Sequence, residues 1–312
     1  MEYLLFLQGI RENAPVFIQW LFVAISEAVI YLGPGIPIII FLCFDKKKGS
    51  VMGFNLLVAL AFNSILKLTA CVYRPWVKYP ELKLAEAAHS SATGYSFPSA
   101  HTTTATTVYG SFAAMNRKKK GLVIIMIVMI LLTAFARNFL GAHTFLDVFV
   151  ALFLSSVIMC INQLILGVLE KNPNFDIVIL ISIILVSVGA LIYFVLKPYP
   201  MDYDAAGNLL VDPVIMMKDG FADIGNLLGW GLCWFFERRF VKFSVEGTKK
   251  EKIIRGAIAV VLFAGFYLGV FGTLKYFMDP RIAKFLKGFL TLIIVLGIYP
   301  YIIKRMQDKK AA

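Results

Sequence analysis

The amino-acid sequence predicts an all-α protein, a polytopic bundle of membrane-spanning helices with a six-helix core and about three further C-terminal spans. Three observations predict it. Of the 312 residues, 59% are hydrophobic and 16% charged, and the mean hydropathy is +0.78, whereas a soluble domain is only about half apolar. Apolar runs recur along the whole chain, each of about 18 residues or more and therefore long enough to cross about 30 Å of hydrocarbon. The net charge of +12 is gathered between those runs, not within them.

The elements follow in order. Residues 1–14 begin "MEYLLFLQGIREN", with no basic start and no small-residue cleavage site, so they read as a short interfacial helix and not as a signal peptide. The core, residues 15–196, holds spans near 17–44, 51–73, 100–116, 121–138, 144–168 and 175–196. The first is interrupted by "GPGIP" at Gly33 to Pro37, which predicts a kink. Residues 197–312 supply a loop, "KPYPMDYDAAGNLLVDPVIMMKDG", and spans near 220–236, 254–276 and 284–303, poor in polar residues. The turn formers and scattered apolar residues of that loop suit a segment folded against the outer face. A second long outer connection, Arg74 to Pro98, contains "PELKLAEAAHS", which suits a short surface helix.

Alternate connections carry Lys46 to Lys48, Arg117 to Lys120, Lys171, Arg238 through Arg255, and Lys304 to Lys310, well over half of the 31 lysines and arginines. By the positive-inside rule these connections are cytoplasmic, which places the N-terminus outside and the C-terminus inside. The basic loops then set topology, and no nucleic-acid partner is implied. The lack of any N-x-S/T sequon points to a bacterial plasma membrane. Cys43, Cys71, Cys160 and Cys233 lie in or at the ends of spans without metal-ligand spacing, and suit packing as small apolar residues.

Polar residues inside spans are few, so each needs a reason. Lys67 and Arg74 in "NSILKLTACVYRPW" are seven residues apart, which on a continuous helix puts both cations on one face. Lys67 either snorkels to the interface or serves a site. In "YSFPSAHTTTATTVYG", Pro98 ends an extended approach and Ser99 is a natural N-cap. The unpaired N–H groups behind it suit phosphate, and His101 sits in the first turn, in reach of a proton transfer. Thr102, Thr103, Thr104, Thr106 and Thr107 suit bonds to backbone carbonyls or neighbouring helices. In "ARNFLGAHTFLDV", Arg137 ends a span, and His143 and Asp147 are spaced i,i+4, so a carboxylate can hold one ring nitrogen and leave the other free to attack. Glu27 is an intramembrane carboxylate that either pairs with a neighbouring helix or joins the site, and His89, in the outer loop, reads as a surface histidine or part of a lid.

K-x6-R-P at Lys67–Pro75, P-S-A-H at Pro98–His101 and A-R-x5-H-x3-D at Ala136–Asp147 resemble, in order and spacing, the three signature motifs of the type-2 phosphatidic acid phosphatase superfamily. The resemblance implies a phosphatase that needs no metal or other cofactor and works through a phosphohistidine. It implies His143 as nucleophile, Asp147 as its orienting acid and His101 as the proton donor to the leaving oxygen. Lys67, Arg74, Ser99, Ala100 and Arg137 are implied as the phosphate-binding set. Physically, phosphoryl transfer needs positioning and electrostatic stabilisation of the equatorial oxygens, which three cations, a hydroxyl and a helix N-terminus can supply. Two positions depart from the family's pattern. Ala100 stands where glycine is usual and narrows the approach to the backbone N–H groups; Ala136 stands where serine is usual and removes a hydroxyl. Reduced or altered activity is expected from both.

The function expected is hydrolysis of a membrane lipid phosphate or diphosphate, such as undecaprenyl diphosphate, phosphatidate or phosphatidylglycerophosphate, at the outer face. A phosphotransferase or a sugar-phosphate phosphatase can use the same site, and a glucose-6-phosphatase relative has a similar nine-span plan. A transporter places its polar residues near the midplane, unlike the one-ended cluster here; an inactive scaffold is the other non-enzymatic alternative. Oligomeric state is left open.

Overall fold

The computed structural model describes residues 2–92, 94–204 and 206–311, and among them the regular structure is helical, with isolated bridges at Tyr73–Tyr95 and Tyr203–Leu209 but no strand. The helices are α1 (Glu2–Asn13), α2 (Val16–Leu32), α3 (Gly35–Cys43), α4 (Lys46–Ala70), α5 (Pro75–Lys78), α6 (Ala100–Met115), α7 (Lys120–Phe139), α8 (Phe145–Lys171), α9 (Phe175–Leu196), α10 (Pro213–Phe236), α11 (Lys249–Ala264), α12 (Pro280–Leu292) and α13 (Tyr299–Ala311).

The chain is an integral, multi-pass membrane protein. Among the described residues six helical stretches are long and apolar enough to cross a bilayer, and the pair α2 and α3, broken at Gly33–Pro34 where a kink was expected, makes a seventh. The expected spans at 100–116 and 220–236 are not among them. Helix α6 has 16 residues, about 24 Å of helix, and is rich in threonine; α10 is diluted by Asp219, Asp223, Asn226 and several glycines.

The chain divides into two compact units that interleave along the sequence. The first comprises Met1–Gly33, Phe62–Cys160 and Pro198–Met216. In it α2 packs on α6 and α7, and α6 on α7. Its apolar cluster of Val23, Leu84, Ala85, Ala88, Leu140 and Ala142, with Phe22 and Trp76 against it, lies under the turn after α7. The expected surface helix is a 3-10 turn at Glu86–Ser91, and Ala85 N–H bonds Leu140 O at 3.0 Å, so this segment buttresses that turn. Gly141 has φ +76°, and a Cβ there would meet Lys83 O at 2.9 Å, so the position wants glycine. Helix α1 is a clamp as well as an amphipathic helix: buried Arg11 donates from Nη1 to Phe139 O at 2.9 Å and from Nη2 to Lys83 O, and Tyr3 OH accepts from Phe145 N–H. The segment 198–216 folds onto the Arg74–Pro98 connection, with Tyr73 OH donating to Asp202 Oδ2 at 2.7 Å and Met216 Sδ facing Tyr95 N–H.

The second unit comprises Pro34–Ala61, Ile161–Lys197 and Met217–Ala312. Trp230 packs against Gly53, where any Cβ would overlap its ring, and Trp234 meets Phe54 edge-on. Its charged end is cross-linked: Lys46 Nζ donates to Glu237 at 2.8 Å, and Arg239 to Asp176 at 2.6 Å. Arg255 donates to Leu42 O and Ser244 O. Among the described residues the four cysteines are free.

Candidate active site

The three motif segments meet within the first unit. Helix α4 delivers Lys67 in its last turn and ends at Ala70; Cys71 turns left-handed with φ +48°. Arg74 is extended, with φ −66° and ψ 152°, because the following Pro75 disfavours helix at the residue before it. Lys67 and Arg74 therefore do not share a helix face as their spacing suggested. A turn separates them and directs each to its own partner. Lys67 Nζ donates to Pro98 O at 2.9 Å, tying the entry of α6, and Arg74 Nη1 donates to Ala142 O at 2.8 Å, tying the turn before α8.

Ser99 is the N-cap of α6 and fully buried; its Oγ accepts from Thr102 N–H and, at 3.1 Å, from Thr102 Oγ1. Ser99 N–H bonds Asp147 O at 3.1 Å, so the P-S-A-H segment is stitched directly to α8. Ala100 opens the helix beside it, half-buried. Four of the five threonines behave as expected, Thr104, Thr106 and Thr107 donating to carbonyls four residues back and Thr103 Oγ1 accepting from Asn63, whereas Thr102 Oγ1 turns to Ser99.

His143 follows the Gly141 turn and is 1% exposed. Arg74 Nη1 lies 3.0 Å from its Nε2. A guanidinium can only donate, so Nε2 carries the lone pair and the ring hydrogen is on Nδ1. Nδ1 faces Asp147 Oδ2 at 3.5 Å, long for a hydrogen bond but close enough to set the tautomer. Burial, with Arg74 beside it, pushes the His143 imidazole well below its ordinary range, so the ring is neutral at neutral pH. Asp147 is itself held, Oδ2 accepting from Ser96 Oγ at 2.6 Å and Thr144 N–H at 2.7 Å. Ser96 sits two residues before Pro98 and was not singled out from the sequence, where a serine in a loop carries no signal of its own. Hydrogen bonds to charged groups are worth about 1.5–3 kcal/mol. Ser96→Ala is therefore expected to lower phosphate release at least about tenfold with KM little changed, a split that initial-rate measurements resolve.

On the other side, Arg137 is fully buried near the end of α7 and donates from Nη1 to Glu27 Oε1 and Ser26 Oγ, both at 3.3 Å. Glu27 Oε1 is also 3.1 Å from His101 Nε2. Arg74 thus stands against the His143 imidazole, with Asp147 on that ring's other side, while Glu27 joins Arg137 to the His101 imidazole. Ala136 is buried and supplies no polar atom to this cluster. His89 is exposed on the 3-10 turn, apart from it. Among the described residues no group of three or more His, Cys, Asp or Glu side chains is placed to hold a metal ion.

A family model, the PAP2 superfamily, matches residues 49–167, which contain every motif residue from Lys67 to Asp147. A second, described as the PAP2 superfamily phosphatase, transmembrane extension, matches residues 221–311. The chain belongs to the PAP2 superfamily. The two matches together cover about two thirds of it, and the second accounts for most of α10 and the helices after it. No curated protein and no solved structure matches the chain. As a PAP2 superfamily member with the transmembrane extension, it is a membrane phosphatase by class. Glu27 and Ser26 precede both matched segments.

Proposed function

We propose that this phosphatase hydrolyses a lipid phosphate or diphosphate, drawn from the bilayer, through a phosphohistidine on His143 at the outer membrane face. The observation that carries the reading is the orientation of the His143 ring: Asp147 lies on the Nδ1 side and Nε2 has its lone pair directed at a guanidinium. An arriving phosphoryl group takes over Arg74, which frees the Nε2 lone pair to attack phosphorus. The bond from phosphorus to the leaving oxygen breaks, and His101 gives that oxygen a proton. Water then attacks the phosphohistidine, His101 takes the proton back, and inorganic phosphate leaves with His143 neutral again. Lys67, Arg74, Arg137, Ser99 and the N–H groups opening α6 at Ala100 hold the phosphoryl oxygens through both steps.

A lipid substrate is supported by the surface beside the nucleophile. Phe145, Leu146 and Phe149, on the first turns of α8, are each more than half exposed, an apolar face suited to acyl or prenyl chains. The outer-face assignment rests on the basic connections, which the positive-inside rule puts on the cytoplasmic side. The lack of any N-x-S/T sequon favours a plasma membrane of bacterial type.

The test is phosphate release by the detergent-purified chain from undecaprenyl diphosphate, phosphatidate, phosphatidylglycerophosphate and glucose-6-phosphate, with EDTA throughout. Release from one or more lipids, with acid-labile phosphate on the protein, is expected. Release from glucose-6-phosphate alone would replace the lipid reading by a sugar-phosphate one, and release lost to EDTA would overturn the histidine mechanism.

A further inference from the structure

Glu27 is the residue that the superfamily match leaves unassigned and the site geometry makes conspicuous. It comes from α2, outside all three motifs, yet one of its oxygens bridges two motif side chains, His101 and Arg137, at 3.1 and 3.3 Å. A carboxylate among lipid-spanning helices is costly, and its side chain is only 17% exposed. A structural ion pair with Arg137 would account for the charge, but not for the shared oxygen on the imidazole.

The chemistry of the acid supplies the reason. His101 must carry a positive charge to protonate a leaving oxygen, and its surroundings oppose that. Burial disfavours an imidazolium most, and Arg137 from α7 and Arg74 from the segment before α5 add to it. The facing charges from the packed elements are these two arginines and, from α2, Glu27. Among them Glu27 is the negative one.

Resting on the phosphatase reading above, we infer that Glu27 is a positioning residue for the general acid. Its carboxylate accepts from His101 Nε2–H, fixes the ring so that Nδ1 faces the leaving oxygen, and supplies the negative charge that lets the ring hold a second proton. In the acid form both ring nitrogens carry hydrogen; Nδ1–H passes to the leaving oxygen, and Nε2–H stays on Glu27. When water attacks the phosphohistidine, Nδ1 takes its proton and the imidazolium–carboxylate pair re-forms. Glu27 plays for the acid the part that Asp147 plays for the nucleophile, through the opposite ring nitrogen.

The sign of the effect can be read in a pH profile. Without the carboxylate the ring loses its second proton at lower pH, so the alkaline limb of kcat moves to lower pH. For Glu27→Gln, assayed on phosphatidate in mixed micelles with wild type and Glu27→Asp alongside, kcat is expected to fall about 10- to 100-fold, a part of the roughly 10²- to 10⁴-fold that general acid catalysis supplies, because His101 itself remains. The alkaline limb is expected to move down by about one pH unit, KM to change little, and Glu27→Asp to recover most of the limb. A fall in kcat with the limb unmoved would show a structural role only and overturn the inference, as would unchanged kinetics.

A second readout needs no substrate. The chain has three histidines, so 15N-histidine labelling gives three rings to follow, with His101→Asn assigning the signal. The Nε2–H form of His101 and a titration that drops in Glu27→Gln are expected; an unshifted titration overturns the inference even if Glu27→Gln is too unstable for kinetics. If wild type releases no phosphate while the 15N titration behaves as expected, the phosphatase reading has failed and the Glu27–His101 coupling has not.

Discussion

Alanine at His143 is expected to reduce phosphate release on the order of 10⁴- to 10⁶-fold, the range seen when a covalent nucleophile is removed. No other nitrogen of the site can take its place. His101 presents Nε2 to Glu27 and is assigned through Nδ1 to the leaving oxygen, opposite the attacking side, and the side-chain nitrogens of Arg74, Arg137 and Lys67 are cationic donors. The substitution removes a fully packed ring but keeps the Arg74 bond to Ala142 O and the Asn138 bond to His143 O, so the turn should survive. A thermal unfolding scan of the variant in detergent checks that. Release persisting at a tenth of wild type would mean that water, and not His143, attacks phosphorus. The pH dependence carries the same information. Because burial and Arg74 push His143 down, lowering the pH through about 6.5 does not protonate it. The ring proposed as nucleophile stays neutral, and kcat/KM should show no acidic break from this group at the usual histidine value.

The second large effect is expected at Asp147. Asparagine there should lower kcat about 10⁴-fold, the scale on which a mis-set imidazole tautomer acts in other enzymes. Oδ2 serves three partners at once, Ser96 Oγ, Thr144 N–H and the Nδ1 side of His143. If the amide oxygen keeps Ser96 and Thr144, the phosphorylated ring loses the negative charge that offsets it beside Arg74. If the amide nitrogen turns inward, Nδ1 becomes the acceptor, the hydrogen moves to Nε2, and the attacking lone pair is gone. Both routes lower kcat with KM nearly constant. A drop of less than tenfold in initial rates would mean that Asp147 braces α8 through Ser99 and Thr144 without acting on the ring.

Much of the site was legible because an ionisable residue in an apolar run stands out against its background. Lys67, His101, Arg137, His143 and Asp147 are visible for that reason, and the N-cap role of Ser99 follows from local rules. What was read wrongly turned on where a helix stops. The spacing of Lys67 and Arg74 assumes a helix that Pro75 and the left-handed Cys71 end at Ala70. The expected helix at 100–116 is present as Ala100–Met115, and three of its threonine hydroxyls are spent on its own carbonyls, which is how so polar a helix packs among apolar neighbours. Ser96, Arg11 and Tyr3 gave no local signal, since a loop serine and two residues of an amphipathic helix look the same wherever they point.

By itself the sequence determined the class: a helical membrane protein, because an apolar composition can satisfy its backbone in lipid only by closing hydrogen bonds within each helix or a closed barrel. It also determined the superfamily, because three short motifs keep their order and spacing. Only the tertiary structure decided what each charged group faces. Glu27 meets His101 and Arg137 across separations of 74 and 110 residues, and Arg74 reaches His143 across 69. Those pairings depend on how α2 packs on α6 and α7 and on the turn at Gly141. No local periodicity encodes them, because side chains so far apart meet only through the summed packing of every element between them.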